Sequence, residues 1–84
     1  MIKIKIYSAP FCVYCNEAKD FFDQHALPYT EVDVSVDEEA AKDMVSRTNQ
    51  MSIPVIEIGD EIITGFDKSQ IKKILRESGV KIEE

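Results

Sequence analysis

Hydrophobic periodicity is the feature that most restricts the fold of this 84-residue chain, because the period switches repeatedly between that of a strand and that of a helix. Residues 2–7 alternate side chains, with three isoleucines on one side, and this pattern predicts a strand with one buried face. From Cys12 to about Ala26 the apolar residues recur every three or four positions, which predicts a helix.

The second strand and the second helix follow the same change of period. Residues 29–34 alternate again and predict a strand. The next helix is predicted to begin at Ser35, because Ser35 and Glu38 form a capping-box pattern in which side chains satisfy free backbone N–H groups. The inward face of this helix is expected to consist of Ala41, Met44, Val45 and Thr48.

A hairpin is predicted in the third quarter of the chain. Residues 54–58 and 61–64 have the composition of two short strands. Only Gly59-Asp60 separates them, and a glycine in a two-residue connection can adopt the positive φ that a tight turn needs. These two strands should therefore be antiparallel.

A final helix completes the predicted order. It should begin after Asp67, which has Gln70 three residues later, and end before Gly79. Its buried stripe is expected to comprise Ile71, Ile74, Leu75 and Ser78. The order β-α-β-α-β-β-α predicts an α/β fold with a four-stranded mixed sheet and three helices, in a single domain that occupies residues 1–84.

Charge and apolar run length argue against several classes of partner. The net charge is −6, and the ten Lys and Arg are scattered among sixteen acids, which opposes binding to nucleic acid phosphates. The apolar stretches span only a few residues, whereas a membrane-spanning helix needs about 20. The alternating N-terminus also differs from a secretory signal. We expect a cytoplasmic protein that binds neither nucleic acid nor membranes.

The two cysteines of the chain form the segment Cys12-Val13-Tyr14-Cys15. Thiols so close in sequence cannot staple a long loop, and structural zinc normally needs four ligands, more than the two cysteines and His25 supply. A C-x-x-C at a strand-to-helix junction in a β-α-β unit is typical of redox chemistry. A metal or cluster site and inert core thiols are the alternatives.

The two cysteines are predicted to have different roles. Cys12 lies near the cap position of the first helix, where unpaired N–H groups and the helix dipole stabilise a thiolate, and Cys12 is therefore the predicted nucleophile. Cys15 falls inside the first turn, with fewer free N–H groups, and is the predicted resolving thiol. His25 should lie near the far end of this helix, out of reach as a base. No metal site is expected.

Four landmarks run from one end of the chain to the other: Ile6-Tyr7, Cys12-Val13-Tyr14-Cys15, Ser52-Ile53-Pro54 and Thr64-Gly65-Phe66-Asp67. With these landmarks the chain resembles the glutaredoxins, including the glutaredoxin-like redoxins that serve ribonucleotide reductase. The resemblance implies a thioredoxin-like fold. It also implies a dithiol oxidoreductase that reduces protein disulfides or glutathione-mixed disulfides.

The resemblance assigns roles outside the cysteine pair as well. Pro54 would be a cis-proline that faces the cysteines and leaves the backbone of Ile53 free to pair with an extended substrate; a trans-proline at the start of an edge strand is the alternative. Independently of the resemblance, Phe11, Tyr14 and Phe66 are predicted to form an apolar rim that holds the side chains of a partner, although Phe66 suits the core equally well. The implied substrate or glutathione groove consists of Tyr14, Gln50, Ile53, Pro54, Gly65, Phe66 and Asp67.

The pattern for glutathione binding is matched only in part. Glutaredoxins that use glutathione commonly carry a Lys ahead of the first cysteine, where this chain has Ala9, and a Gly-Gly pair, where this chain has Thr64-Gly65; Gln50 matches. The resemblance therefore implies either glutathione or a thioredoxin-reductase-type enzyme as the reductant, with no tightly bound cofactor. We expect a monomer. The alternative function is a carrier in which a dimer uses Cys12 and two glutathiones to hold an iron–sulfur cluster.

Overall fold

A computed structural model describes residues 3–80 of the chain. The predicted order β-α-β-α-β-β-α is confirmed; the residue at which the first strand was predicted to begin, residue 2, lies outside the described part. The elements are β1 (Ile4–Ser8), α1 (Val13–Gln24), β2 (Thr30–Asp33), α2 (Glu38–Thr48), β3 (Val55–Ile58), β4 (Glu61–Thr64) and α3 (Lys68–Glu77).

The four strands form one mixed sheet in the order β2-β1-β3-β4. β1 pairs in parallel with β2 and antiparallel with β3, and β3 pairs antiparallel with β4. These directions bring the last residues of β1, β2 and β4 to the same end of the sheet as the first residue of β3. We call this the upper end of the sheet; it is marked by Ser8, Asp33, Val55 and Thr64.

Two apolar clusters lie on opposite faces of the sheet. The larger is formed by strand side chains packed against α1 and α3, and it comprises Ile4, Ile6, Ala18, Phe21, Phe22, Ile56, Ile58, Ile63, Ile71, Ile74 and Leu75. The smaller lies under α2 and is centred on Tyr7, Met44 and Val55. Ile4 and Ile6 share the face that the alternation predicts. No helix within residues 3–80 combines the length and the apolar character needed to cross a bilayer.

The start of α2 differs from the prediction. Asp37, not Ser35, is the N-cap residue, and its Oδ1 accepts the N–H of Ala40 at 3.0 Å. Ser35 does not cap the helix but binds Asp33 instead, because both its N–H and its hydroxyl donate to Oδ1 of Asp33. An aspartate-led turn therefore precedes the helix and moves the cap two residues along the chain. Of the predicted inward face, Met44 is fully buried, and the other three residues are half-buried.

The start of α3 agrees with the prediction, but its buried stripe is shorter than predicted. Asp67 caps the helix by accepting the N–H of Gln70 at 3.2 Å. Ser78 is exposed, because the helix ends at Glu77. The positive φ of Gly79, +87°, then changes the direction of the chain. The N–H of Gly79 and that of the next residue donate to carbonyls of the last turn, which is the hydrogen-bond pattern of a glycine-terminated helix.

The end of α1 has the same pattern without a glycine. Ala26 adopts a left-handed φ of 55°. Its N–H donates to the carbonyl of Asp23 at 3.1 Å, and the N–H of Leu27 donates to the carbonyl of Phe22 at 2.9 Å. The carbonyls of Phe22 and Asp23 at the helix terminus thus have hydrogen-bond partners, but a residue with a Cβ occupies the position where glycine is preferred.

Candidate active site

The cysteine segment lies at the upper end of the sheet, immediately after β1. The chain leaves β1 at Ser8 and turns, and the N–H of Cys12 donates to the carbonyl of Ala9 at 3.1 Å. Cys12 is the N-cap residue of α1, with φ of −90° and ψ of 112°, so its backbone is extended and the helix begins at the next residue. The predicted strand-to-helix junction is therefore present at the predicted residue.

The Sγ of Cys12 occupies the position where a serine or aspartate oxygen caps other helices. It accepts the backbone N–H of Cys15 at 3.1 Å. This N–H belongs to the first turn of α1, so the sulfur lies at the N-terminal end of the helix. Cys12 is only partly buried, so a reagent can approach this sulfur.

Cys15 has different surroundings from Cys12. It is 0% exposed, and burial raises the pKa of the Cys15 thiol to about 12, with a further contribution from the hydrogen bond with Cys12. A backbone hydrogen bond with Ala9 and the positive charge of Lys19 act in the opposite direction on this pKa. The Cys15 sulfur is therefore a protonated thiol at neutral pH and is shielded from solvent.

A polar cluster formed by Ser8, Lys19 and Glu31 lies behind the cysteine pair. The hydroxyl of Ser8, which is 0% exposed, donates to Oε2 of Glu31 at 2.7 Å. Nζ of Lys19 contacts the same carboxylate oxygen, also at 2.7 Å. The hydrogen bond from Lys19, and then that from Ser8, lowers the pKa of Glu31.

This cluster was not predicted from the sequence. One signal was available, because Lys19 lies four residues after Cys15 and therefore on the same side of α1.

The loop that precedes β3 lies at the same end of the sheet as the cysteines. The peptide bond between Ile53 and Pro54 is cis, as the resemblance implied. The carbonyl of Pro54, a buried residue, accepts the N–H of Gly65 at 2.8 Å and so continues the pairing of β3 with β4. Within residues 3–80 the backbone of Ile53 has no hydrogen-bond partner.

The other predicted groove residues also flank the upper end. Gln50 follows the left-handed Asn49 that ends α2, and its N–H donates to Oγ1 of Thr48 at 3.3 Å. Gly65 follows β4 with φ of +86°, and an added Cβ would meet no atom within 4 Å. The Asp67 carboxylate is engaged as the cap of α3.

The apolar rim in the structure lacks one residue of the predicted rim, Phe66, and includes three residues that were not predicted. Phe66 is half-buried, packs against the larger cluster and has its ring centroid 6.2 Å from that of Phe21, so the core interpretation describes Phe66 better. The exposed large apolar residues of the described part are concentrated at the upper end, with one exception, Ile62 on β4. We call this group the apolar rim: Phe11, Val13, Tyr14, Val36 and Met51.

The described residues contain no group of three or more His, Cys, Asp or Glu arranged to hold a metal ion. His25 is the C-cap residue of α1, and its ring lies 4.6 Å from that of Phe21. The 12-residue helix, about 18 Å long, separates His25 from Cys12. The prediction that His25 lies out of reach of the cysteines is therefore confirmed.

The family model described as Glutaredoxin matches residues 4–63, which include both cysteines, the cis-proline and the strands β1 to β3. The chain belongs to the glutaredoxin family. Membership supports a thiol–disulfide redox function for the chain, and the C-x-x-C pair Cys12 and Cys15 lies within the matched residues.

Three glutaredoxin-like proteins show how far the similarity extends. A glutaredoxin-like 8.6 kDa protein of the Clostridium pasteurianum rubredoxin operon is 36% identical over 72 residues, which are 86% of this chain and 96% of that protein. A glutaredoxin of Neisseria meningitidis is 30% identical over 81 residues, covering 95% and 93% of the two chains. The structure of the NrdH-redoxin from Escherichia coli matches with a TM-score of 0.77 and 25% identity, over 86% and 93% of the two chains. The thioredoxin-like fold is thereby confirmed.

Proposed function

We propose that this member of the glutaredoxin family is a dithiol oxidoreductase that reduces disulfides of protein substrates. The observation that carries the proposal is the contrast between the two thiols. The Sγ of Cys12 is accessible and accepts a backbone N–H, whereas Cys15 is buried and protonated. An accessible, stabilised sulfur suits attack on an external disulfide, and a buried thiol suits an internal second step.

The reaction consists of two thiol–disulfide exchanges. The Cys12 thiolate attacks one sulfur of the substrate disulfide, a Cys12–substrate bond forms, and the other substrate sulfur leaves as a thiolate that takes up a proton. Cys15 then loses its proton and attacks Sγ of Cys12, which releases the second substrate sulfur and leaves a Cys12–Cys15 disulfide. The protein has given up two electrons, and an external reductant must restore them.

A protein substrate is favoured by two features of the upper end. The backbone of Ile53 has no hydrogen-bond partner within residues 3–80, so its N–H and carbonyl are available to an extended substrate segment. The apolar rim offers side chains that a protein partner would bury. A small disulfide would leave most of this rim exposed.

We further propose a thioredoxin-reductase-type enzyme as the reductant. Ala9, which is buried, stands where glutathione-using glutaredoxins commonly carry a lysine, so no side chain at this position supplies a positive charge to the glutathione carboxylates. The apolar rim fits an enzyme surface better than a charged tripeptide. We place the reaction in the cytoplasm. This protein reduces its substrate with two free thiols, and it therefore needs a compartment that keeps thiols reduced.

NADPH consumption with a protein disulfide substrate tests both parts of this proposal. Turnover should occur with thioredoxin reductase and be much slower with glutathione plus glutathione reductase; the reverse result would identify glutathione as the reductant. Cys12→Ser should abolish turnover, and Cys15→Ser should accumulate a mixed disulfide that mass spectrometry detects. Full activity of Cys12→Ser would contradict the proposed mechanism. A coloured protein after anaerobic reconstitution with iron and sulfide would instead support the cluster-carrier alternative.

A further inference from the structure

The second exchange requires a buried thiol to lose its proton. Cys15 is 0% exposed, and burial is the largest cause that raises its pKa. Once Cys12 is bound to substrate through a disulfide, the hydrogen bond and the charge that Cys12 contributes are lost, but the burial of Cys15 remains. A nearby positive charge would offset part of this cost, because it favours the thiolate over the thiol.

Lys19 supplies a positive charge on the same side of α1 as Cys15. It lies one helical turn beyond Cys15, and its side chain is only 20% exposed. Its Nζ is 2.7 Å from Oε2 of Glu31, and the buried Ser8 hydroxyl lies 2.7 Å from the same oxygen. The ammonium of Lys19 on α1 therefore lies beside a carboxylate of β2 that is also bound by Ser8 of β1.

We propose that Lys19, held in place by Glu31 and Ser8, is a positioning residue that stabilises the thiolate of Cys15 while Cys15 resolves the mixed disulfide. This inference rests on the proposed dithiol mechanism and adds a residue to its second step. Lys19 acts through Cys15 and need not touch the substrate.

Lys19 acts as a fixed charge and not as a base. The hydrogen bond with Glu31 raises the pKa of Lys19, so its ammonium stays protonated at neutral pH and cannot accept the proton of Cys15. That proton passes to water or to the departing substrate thiolate. The electron pair of Cys15 forms the new bond to Cys12, and the pair of the broken bond leaves with the substrate sulfur.

The other titratable groups around Cys15 and Lys19 do not supply a second cation. Cys12 is bound in the mixed disulfide at this stage. Glu31 and Asp33 on β2 are carboxylates and supply no positive charge. Burial raises the pKa of Tyr29, so this phenol stays neutral. Among these groups the positive charge of Lys19 is the one that favours the thiolate.

Dithiodipyridine, an uncharged aromatic disulfide, separates the two exchanges in one stopped-flow trace. Attack by Cys12 releases the first coloured thione, and displacement by Cys15 releases the second. In Lys19→Gln the second phase should slow about three- to tenfold, and its pH profile should move about half a unit to one unit higher. The first phase should not change.

Three further variants make the result specific. Lys19→Met repeats the loss of charge with an apolar side chain of similar length, in case Lys19→Gln does not fold. Lys19→Arg keeps the charge and should retain the second phase. Lys73→Gln removes an exposed lysine of α3 and the same unit of charge, and it should leave both phases unchanged.

The inference is overturned if Lys19→Gln, or Lys19→Met in its place, leaves the second phase unchanged across the pH range. It is also overturned if Lys73→Gln slows that phase equally, or if both phases slow together in the Lys19 variants. Failure of the proposed function has a different signature, because the unaltered protein would then release no thione in the first phase.

Discussion

The backbone N–H of Cys15 donates a hydrogen bond to Sγ of Cys12 across 3.1 Å. In the proposed mechanism, the residue that resolves the mixed disulfide therefore also supplies a hydrogen-bond donor to the attacking sulfur. The geometry arises because Cys12 is the N-cap residue and Cys15 lies three positions along the helix, where a cap acceptor finds its N–H. The spacing of the motif is thus the spacing of a helix cap, with a sulfur in place of an oxygen.

Stability of the reduced protein should fall at alkaline pH partly because of Cys15. Burial raises the pKa of this thiol from its ordinary value of 9.0 to about 12. Between these values the unfolded chain loses the proton while the folded protein keeps it. The stability that a raised pKa contributes is therefore complete below about pH 9 and is lost as the pH rises toward 12. The largest slope from one such thiol is ~1.4 kcal/mol per pH unit.

Urea unfolding at a series of pH values checks this slope. We compare Cys12→Ser with Cys12→Ser/Cys15→Ala, since neither can form the internal disulfide and their lysines and tyrosines titrate alike. The free energy of unfolding of Cys12→Ser should fall more steeply above about pH 9. Parallel curves would show that Cys15 titrates equally in the folded and unfolded chains.

Two glycines give a matched pair that separates stability from function. Gly65 and Gly79 have φ of +86° and +87°, and an added Cβ meets no atom within 4 Å at either position. Alanine should therefore cost each site about 1–2 kcal/mol of stability through backbone conformation alone. Gly65→Ala should also slow turnover, because Gly65 lies beside Pro54 at the upper end of the sheet; Gly79→Ala should not. Urea midpoints and initial rates provide the two readouts, and equal rates would exclude Gly65 from the groove.

Met51 in the apolar rim should contribute to binding of the reductase. Its side chain is 67% exposed, so Met51→Ser should change stability by less than about 0.5 kcal/mol. Loss of apolar area that a partner buries should raise KM about three- to tenfold. Ile62→Thr, in β4 opposite Glu57, is the control and should leave KM unchanged. A KM for Met51→Ser equal to that of the unaltered protein would remove Met51 from the interface.

The end of α1 offers a stabilising substitution. Ala26 has φ of 55°, a left-handed conformation in which a Cβ is unfavourable. Ala26→Gly should therefore raise the free energy of unfolding by about 1 kcal/mol. Ala41→Gly, inside α2, should lower it by a similar amount, because glycine is unfavourable in a helix interior. A destabilised Ala26→Gly would contradict this account of the helix end.

The elements could be predicted because local rules and long-range packing agree in this chain. Ile4 and Ile6 alternate onto the face that α1 and α3 cover, and Gly59 adopts the positive φ, 59°, that its hairpin needs. The cysteine motif was placed correctly for the same reason, since the strand before it and the helix after it both have clear periods.

Features that depend on pairing between distant segments could not be predicted in this way. Glu31 lies beside Ser8 only because the register of β1 and β2 sets Ile6 opposite Glu31. The sequence pattern contains no information on that register. The α2 cap was misplaced for a local reason, because Asp33 competes for the Ser35 hydroxyl and leaves Asp37 to cap the helix.

The burial of Cys15 determines at which step of the reaction this protein discriminates between partners. In the proposed mechanism a partner contacts the apolar rim, the Ile53 backbone and the Cys12 sulfur, whereas the Cys15 sulfur is 0% exposed. In the proposed mechanism recognition is therefore completed during the first exchange. The second exchange forms the Cys12–Cys15 disulfide within the protein. Of the properties of the partner, only those of the departing thiolate affect this step. In this mechanism, selectivity between partners arises in the first exchange, and the lifetime of the mixed disulfide depends on Cys15, its surroundings and the departing thiolate.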